Sequence, residues 1–589
     1  MALIRRWKRR GQRLLDALTF ADRDAKIFVK SITFSAGQTI ALDDSSILVI
    51  VGPNNAGKSS TLREIRDHLR IGHAVGPVLK DAEIRVKGTI EAFKKAIVDA
   101  GLATSKEDVI RIDEYSEYQL SKVSEEITSG FIGSKVIPFF VSFLNSEERL
   151  RVAYPTKRGN YFRGAPKSPM QWLELDEGAE KRISDIFEQT FDASLVLNTL
   201  AGEDLVLHIA REEDVSRSAS NTREEAKWFA SLPRLHHQGD GMRSFAGTMM
   251  SLLVHPTTSI LLDEPEAFLH PPQARRLAEI ITREVPGCCQ VLIATHNDAF
   301  VRALMDASGD RVILARIVRV GSVNRVTVLK QKELSELWSD SLLRTSDILS
   351  ALFHEAAILC EGDSDARFYG ALMDATRGEK RDADVRFYHF GGKDRIASIA
   401  RALRVIEIPV VAIVDIDVLS DQDKFLALFE VMGGDPMEVE QDVKAIIRLV
   451  AERKGQMTGP ELAVELRRLG AEVEASAEVP SRTRNKLLEL GRAGSSWQRV
   501  KHGGYRALDA QTFSRVANAS RRIGLLINPE GELEGFCREI SRNRKSDWLA
   551  QAVQRDMTRD PTLGDARAFC DQIREATKTV MNLYKESAD

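Results

Sequence analysis

The stretch Gly52-Pro53-Asn54-Asn55-Ala56-Gly57-Lys58-Ser59 constrains the fold of this chain more than any other. The apolar run Ser46-Ile47-Leu48-Val49-Ile50-Val51 before it reads as a buried strand, and Ser60 to Leu69 after it has helical spacing. A glycine turn between a strand and a helix N-terminus leaves backbone N–H groups unpaired and converging, which suits phosphate oxygens. Lys58 adds positive charge, and the Ser59 hydroxyl is placed to reach Mg²⁺. Gly52, Asn55, Gly57, Lys58, Ser59 and Ser60 are therefore the expected contacts to ATP.

Downstream, Ser259-Ile260-Leu261-Leu262 and Gln290-Val291-Leu292-Ile293-Ala294 read as strands on either side of an amphipathic helix from Pro272 to Glu284, the order of a βαβ crossover. The first strand runs into Asp263-Glu264-Pro265-Glu266. Asp263 is expected to organise Mg²⁺ with Ser59, and Glu264 to orient or deprotonate the hydrolytic water. His296 follows the second strand, where it can sense a γ-phosphate. In Gln238-Gly239-Asp240-Gly241-Met242-Arg243-Ser244 the residues Gly239 and Gly241 stand at a helix start, either exposing N–H groups to phosphate or forming a structural turn. Together these elements resemble the ABC-type heads of the RecF and SMC group, although the glycine run departs from the usual Ser-Gly-Gly signature. In that group two heads enclose ATP, so the resemblance implies a dimer or larger assembly.

The second half repeats the device of acids at strand ends. Ala356-Ala357-Ile358-Leu359-Cys360 runs into Glu361-Gly362-Asp363-Ser364-Asp365, and Pro409-Val410-Val411-Ala412-Ile413-Val414 into Asp415-Ile416-Asp417, with a strand around Val385 between them. Such unbroken apolar runs suit parallel strands buried on both faces. Two divalent ions about 3.5–4 Å apart can steady the attacking and leaving oxygens of a phosphodiester. Glu361, Asp415 and Asp417 are the expected ligands or water organisers, while Asp365 either binds metal or caps the next helix. Phe390-Gly391-Gly392-Lys393-Asp394 either admits a DNA backbone, with Lys393 on phosphate, or forms a tight turn. Tyr505, in Val500-Lys501-His502-Gly503-Gly504-Tyr505, is either a covalent nucleophile or a stacking or packing residue. The strand-like run Arg522 to Ile527 leads into Asn528-Pro529-Glu530-Gly531-Glu532-Leu533-Glu534.

This half resembles a Toprim domain, and the whole order resembles the overcoming-lysogenization-defect family of nucleases, which includes the nuclease subunit of the Gabija antiphage system. The resemblance implies that Glu532 and Glu534 are additional metal-site acids and that Lys545, within Arg542-Asn543-Arg544-Lys545, stabilises developing phosphate charge. It implies ATP and Mg²⁺ as cofactors, with Mn²⁺ or Ca²⁺ as alternatives at the Toprim site, and DNA and an operon-encoded defence protein as partners. The expected fold is α/β: an ABC-like P-loop head over 1–340 with a mixed α/β insertion at 80–234, then a Toprim α/β domain over 341–589 with a helical insertion at 418–520. The expected activity is ATP-regulated, metal-dependent DNA endonuclease in antiphage defence or genome maintenance. A repair ATPase with a non-nucleolytic Toprim domain and a topoisomerase- or primase-like enzyme remain as alternatives.

At 589 residues the chain exceeds one hydrophobic core. A net charge of -3 means that no overall positive field recruits nucleic acid, so DNA contacts must come from local basic surfaces. The cysteines are odd in number and lack zinc-ligand spacing, and no apolar run reaches membrane-span length, so a cytoplasmic protein without membrane contact is expected. The basic start Arg5-Arg6-Trp7-Lys8-Arg9-Arg10 is not followed by a signal-peptide core, and reads either as a solvated helix or as an arm for DNA or anionic lipid.

Overall fold

The computed structural model describes residues 24–71, 76–97, 109–111, 117–119, 121, 125, 137, 140–159, 161, 166–211, 214, 222–254, 257–285, 287, 289–307, 311–329, 347–379, 381–389, 395–452, 459–474, 479, 481–484, 486–487, 496–540 and 545–586. It falls into two compact units, Met1–Glu336 and Leu337–Asp589. The basic stretch Arg5–Arg10, Cys288, the turn Phe390–Asp394 and the run Arg542–Arg544 lie outside the described residues. No helix among the described residues is long and apolar enough to cross a membrane.

The first unit opens with Lys26–Phe34 (β1), Thr39–Ala41 (β2), Ile47–Val51 (β3) and Leu79–Lys87 (β4). β1 pairs antiparallel with both β2 and β4. Val109–Arg111 (β5) and Glu117–Gln119 (β6) form a separate antiparallel pair. Val141–Leu144 (β7) precedes Thr156–Lys157 (β8), Ser194–Asn198 (β9) and Asp204–Ala210 (β10), and the last three make an antiparallel sheet in the order β8-β10-β9. Ser259–Asp263 (β11), Gln290–Ala294 (β12), Val312–Val320 (β13) and Val323–Leu329 (β14) complete the unit, whose main sheet has six strands ordered β14-β13-β3-β12-β11-β7. All its pairings are parallel except β13 with β14.

β3 and β12 are buried at every position, as unbroken aliphatic runs must be when helices cover both faces. The edge strand β14 alternates buried and more exposed residues instead. Because β12 lies between β3 and β11, three consecutive C-terminal strand ends carry the phosphate loop, His296 and the Asp263–Glu264 pair. The helix Lys58–Ile71 leaves the phosphate loop with Leu62, Ile65 and Leu69 buried, an i, i+3, i+7 stripe.

The expected insertion at 80–234 includes two strands that pair with strands of the head. β4 belongs to the β1 sheet and β7 is the outer parallel strand of the main sheet, so backbone pairing returns this stretch to the head twice. The mostly polar surface of β4 and the brevity of β7 hid both from local patterning.

The second unit holds a four-stranded parallel sheet ordered β16-β15-β17-β18, from Ala356–Cys360 (β15), Val385–His389 (β16), Val410–Val414 (β17) and Leu525–Ile527 (β18). Between β17 and β18 the regular elements among the described residues are all helices. The expected strand start at Arg522 is too early, because the helix Ala510–Arg522 continues to that residue. Gly524 then turns the chain at φ +82°, where a Cβ would stand 2.9 Å from the Val410 carbonyl oxygen. The C-terminal helix Gly564–Glu586 packs Phe569, Cys570, Ile573, Ala576 and Val580 into a core with Phe368, Tyr369 and Trp548.

Candidate functional site

Each unit carries one cluster of polar side chains at the C-terminal edge of its parallel strands, where open α/β sheets place ligands. In the first, the phosphate loop depends on left-handed backbone: Asn55 has φ +63° and Gly57 φ +98°. A Cβ on Gly52 would fall 2.1 Å from the Ile317 carbonyl oxygen, so only glycine fits. Lys58 Nζ donates to the Gly52 and Pro53 carbonyls at 2.8 and 2.9 Å. Burial lowers its pKa, opposed by the charges of Glu264, Glu266 and Asp263. Ser60 occupies the first helical turn, with Arg63 Nη2 donating to its Oγ at 3.4 Å.

Across the sheet, the Ser59 hydroxyl bonds to the Asp263 carboxylate, whose pKa burial raises. Asp263 Oδ1 is buried without a hydrogen-bond partner. A buried carboxylate oxygen with no hydrogen-bond partner, beside a phosphate loop and a hydroxyl, suits the Mg²⁺ of a bound nucleotide.

Glu264 adopts φ +49°, an uncommon conformation for a non-glycine residue. Its Oε1 lies 3.1 Å from His296 Nδ1. The neighbouring Glu266 is buried; its Oε1 accepts from Thr295 Oγ1 at 2.6 Å and from the His296 N–H at 3.3 Å. Burial holds the Glu266 carboxyl above its ordinary range.

Sequence reasoning passed over Arg149, which is fully buried on the short helix Ser146–Val152. Its Nη1 and Nη2 donate to the carbonyl oxygens of Asp263 and Glu264, both at 2.7 Å, clamping the turn that presents these acids. Burial pushes its guanidinium down to about 10. Gly239 caps the helix Asp240–Leu253, and a Cβ on Gly241 would lie 2.8 Å from the Phe268 carbonyl oxygen. Gly241 thus adjoins the loop beyond Glu264.

In the second unit Glu361 follows β15 directly, and Asp415 and Asp417 follow β17. The parallel pairing of β15 with β17 brings the carboxylates together: one oxygen from each of Glu361, Asp415 and Asp417 lies within 4.8 Å of the others. Glu361 Oε1 accepts the Asp415 N–H at 2.9 Å. Burial, then the Asp415 charge, raises the Glu361 carboxyl to about 7. Three carboxylates at this spacing, one of them held up by burial and like charge, form a donor set suited to a divalent cation.

Asp365 is not one of this triplet; it is buried in the helix Asp363–Ala375, with Oδ2 2.9 Å from where a Cβ on Gly362 would lie. Glu532 and Glu534 are likewise outside it. Glu532 Oε1 stands 3.7 Å from His502 Nε2, and Glu534 is buried with an Oε2 that has no hydrogen-bond partner. Glu530 is engaged by Arg506 at 2.6 Å and Arg538 at 3.0 Å. Lys545 opens the helix Lys545–Val553, but its side chain lies outside the described atoms. Tyr505 stacks on Phe513 with ring centroids 6.4 Å apart and carries the Arg506 guanidinium 4.8 Å from its ring centre, the environment of a packing residue.

A further residue that sequence reasoning left unassigned, Lys501, reaches the triplet from the helix Ser496–Gly503, with Nζ 3.1 Å from Asp415 Oδ2 and 3.5 Å from Asp417 Oδ2. Burial alone would lower its pKa, but the charges of Asp415 and Asp417 outweigh it and hold the ammonium above the ordinary lysine value.

Residues 140–302 match the family described as "AAA domain, putative AbiEii toxin, Type IV TA system". Residues 352–417 match the family described as "Overcoming lysogenization defect protein-like, TOPRIM domain". The Old nuclease of Escherichia phage P2 is 26% identical over 168 residues, a match that spans 28% of this chain and 28% of that protein. Among solved structures, an SMC head bound to the C-terminal winged-helix domain of ScpA is 14% identical, covering 52% of this chain and 99% of that one with a TM-score of 0.34. The SMC head domain from Thermotoga maritima is 12% identical with the same coverage and a TM-score of 0.29. An AAA-type ATPase domain is thus followed in one chain by a domain that matches the overcoming-lysogenization-defect-like Toprim family.

Proposed function

We propose that this protein is a divalent-metal-dependent DNA endonuclease whose cleavage is governed by ATP at its nucleotide-binding head, acting in the cytoplasm in antiphage defence or genome maintenance. The observation that carries this reading is the convergence of Glu361, Asp415 and Asp417 within 4.8 Å in a chain that also carries a phosphate loop. These three acids hold the divalent ions, with Asp365, Glu532 and Glu534 as further ligands. Divalent ions at such a centre supply Lewis-acid stabilisation of charge building on phosphate oxygens. Asp415 and Asp417, on one tight turn, orient the scissile phosphate's surroundings, and Lys545 neutralises charge on it.

At the head, Gly52, Asn55, Gly57, Lys58 and Ser60 hold the phosphates of ATP, while Ser59 and Asp263 hold its Mg²⁺. Glu264 orients the hydrolytic water or accepts its proton, and His296, 3.1 Å from the Glu264 carboxylate, senses the γ-phosphate of ATP. Gly239 and Gly241 reach the nucleotide of a second head, which makes the working form a homodimer or higher oligomer. DNA is the substrate, and an operon-encoded defence protein is the expected further partner.

The test is cleavage of supercoiled, linear and single-stranded DNA, with metal and nucleotide varied independently, by the wild type and by folded Glu361→Ala and Asp415→Ala variants. Both variants are expected to lose cleavage while still binding ATP. Wild-type cleavage by either would reject the metal-centre reading. No cleavage by the wild type under any condition would favour a repair ATPase with a non-nucleolytic Toprim domain, and a covalent DNA adduct would favour a topoisomerase.

A further inference from the structure

Lys501 is not a lysine that happens to swing near acids. It comes from the helical stretch between β17 and β18, and its backbone is locked against the loop that supports the acid turn. Gly531, at φ +97°, lies so close that a Cβ there would stand 2.0 Å from the Lys501 carbonyl oxygen. Gly504, at φ +64°, presses on Pro529 in the same way, and the Tyr505 N–H donates to the Pro529 carbonyl at 2.8 Å. The loop is itself tied to β17 and its acids: Ile416 N–H donates to Gly531 O at 3.0 Å, and Asn528 N–H to Val414 O at 2.8 Å. Two glycines in left-handed conformations therefore fix where the lysine side chain begins, and its ammonium ends on Asp415 and Asp417. The side chain is 22% exposed and that of Asp415 only 7%, so solvent screens this pair less than a surface ion pair.

The neighbouring basic side chains face other acids: His502 faces Glu532, and Arg506 and Arg538 face Glu530. A divalent ion bound to Asp415 and Asp417 would sit about 2.0–2.6 Å from their oxygens. Lys501 Nζ lies 3.1 and 3.5 Å from one oxygen of each. The ammonium and a divalent ion compete for those carboxylates, because like charges so close in a partly buried site repel strongly. The flexible four-carbon stem of lysine allows the ammonium to leave while its backbone stays fixed.

We propose that Lys501 is a resident cation of the Glu361–Asp415–Asp417 centre, which a divalent ion must displace in order to bind, so that the protein's own side chain sets the metal concentration at which the centre fills. This rests on the reading of the triplet as a metal centre. It gives the helical stretch a function in that centre: to supply a removable charge that keeps the buried acids folded when the metal is absent.

The experiment is calorimetric titration of the full-length protein with Mn²⁺, without nucleotide or DNA, using wild type, Lys501→Met, Lys501→Arg and Asp415→Ala. Loss of the isotherm in Asp415→Ala assigns it to this centre. Lys501→Met is expected to bind Mn²⁺ at least about tenfold more tightly than wild type, and Lys501→Arg, which keeps the charge, to stay within about threefold. Thermal unfolding supplies a second readout: in a chelator Lys501→Met should melt below wild type, and Mn²⁺ should raise its melting temperature by more than it raises that of wild type. Equal or weaker Mn²⁺ binding by Lys501→Met would overturn the proposal and leave the metal centre standing. No Mn²⁺ binding by folded wild type and Lys501→Met alike would overturn the metal centre, and Lys501's role with it.

Discussion

Arg149 offers a sharp test of how the head presents Glu264, the carboxylate proposed to activate water. Its guanidinium donates to the carbonyls of Asp263 and Glu264 at 2.7 Å each, to Leu144 O at 3.1 Å, and to the hydroxyls of Ser146 and Ser244 at 3.3 Å each. Glu264 sits at φ +49° in the turn so clamped, a conformation that costs about 1–2 kcal/mol for a residue with a Cβ. Replacement by Met leaves buried carbonyls without donors, each costing about 1–3 kcal/mol, so a loss of about 3–5 kcal/mol of head stability is expected. Lys in place of Arg can reach only part of this fan of acceptors. Arg149→Lys should therefore retain nucleotide affinity within about threefold while turnover falls at least about tenfold, the pattern of a positioning defect. The assays are steady-state ATP hydrolysis, nucleotide titration, and denaturant unfolding followed through the transition that ATP shifts, which reports the head. Wild-type turnover with an unshifted transition in Arg149→Lys would refute the reasoning.

Other outcomes follow from the same geometry. Lys58→Ala should weaken nucleotide binding, whereas Glu264→Gln should preserve it and slow hydrolysis, since one removes phosphate charge and the other the carboxylate beside His296; an unslowed Glu264→Gln enzyme would remove that acid from water activation. Because Glu361 holds its proton up to about 7, divalent affinity at the Toprim centre should fall as the pH drops below about 7 and level off above it. Mn²⁺ titration across that range in wild type and Glu361→Gln checks this, and an unchanged pH dependence in the variant would assign the proton elsewhere. If Glu532 or Glu534 binds a second ion, alanine in its place should lower cleavage and raise the metal concentration required; unchanged cleavage and titration in single and double variants would leave Glu361, Asp415 and Asp417 as the whole cluster.

The sequence by itself determined the pieces whose signals are local. Ile47–Val51, Gln290–Ala294, Ala356–Cys360 and Val410–Val414 are short, largely aliphatic runs bounded by polar turns, which suit strands covered on both faces, and the acids following the last two could only stand at strand ends. The phosphate loop is equally local, since its glycines, Asn55 and Lys58 act through the backbone they belong to. Only the tertiary structure decided the neighbours. That β12 lies beside β3, and so sets His296 and the phosphate loop at neighbouring strand ends, is a matter of strand order between segments more than two hundred residues apart. Arg149 stands in Ser146-Glu147-Glu148-Arg149-Leu150-Arg151, a stretch that reads as a solvated charged helix, and its burial appears only once β7 joins the main sheet. Lys501 likewise lies in a polar helix far in sequence from Asp415, and joins it only because Gly531 and Gly504 let two backbones approach more closely than any side chain would allow. Strand and turn formation are settled by a residue's immediate neighbours, whereas the pairing of charges across a fold depends on chain closure and packing that no local pattern encodes.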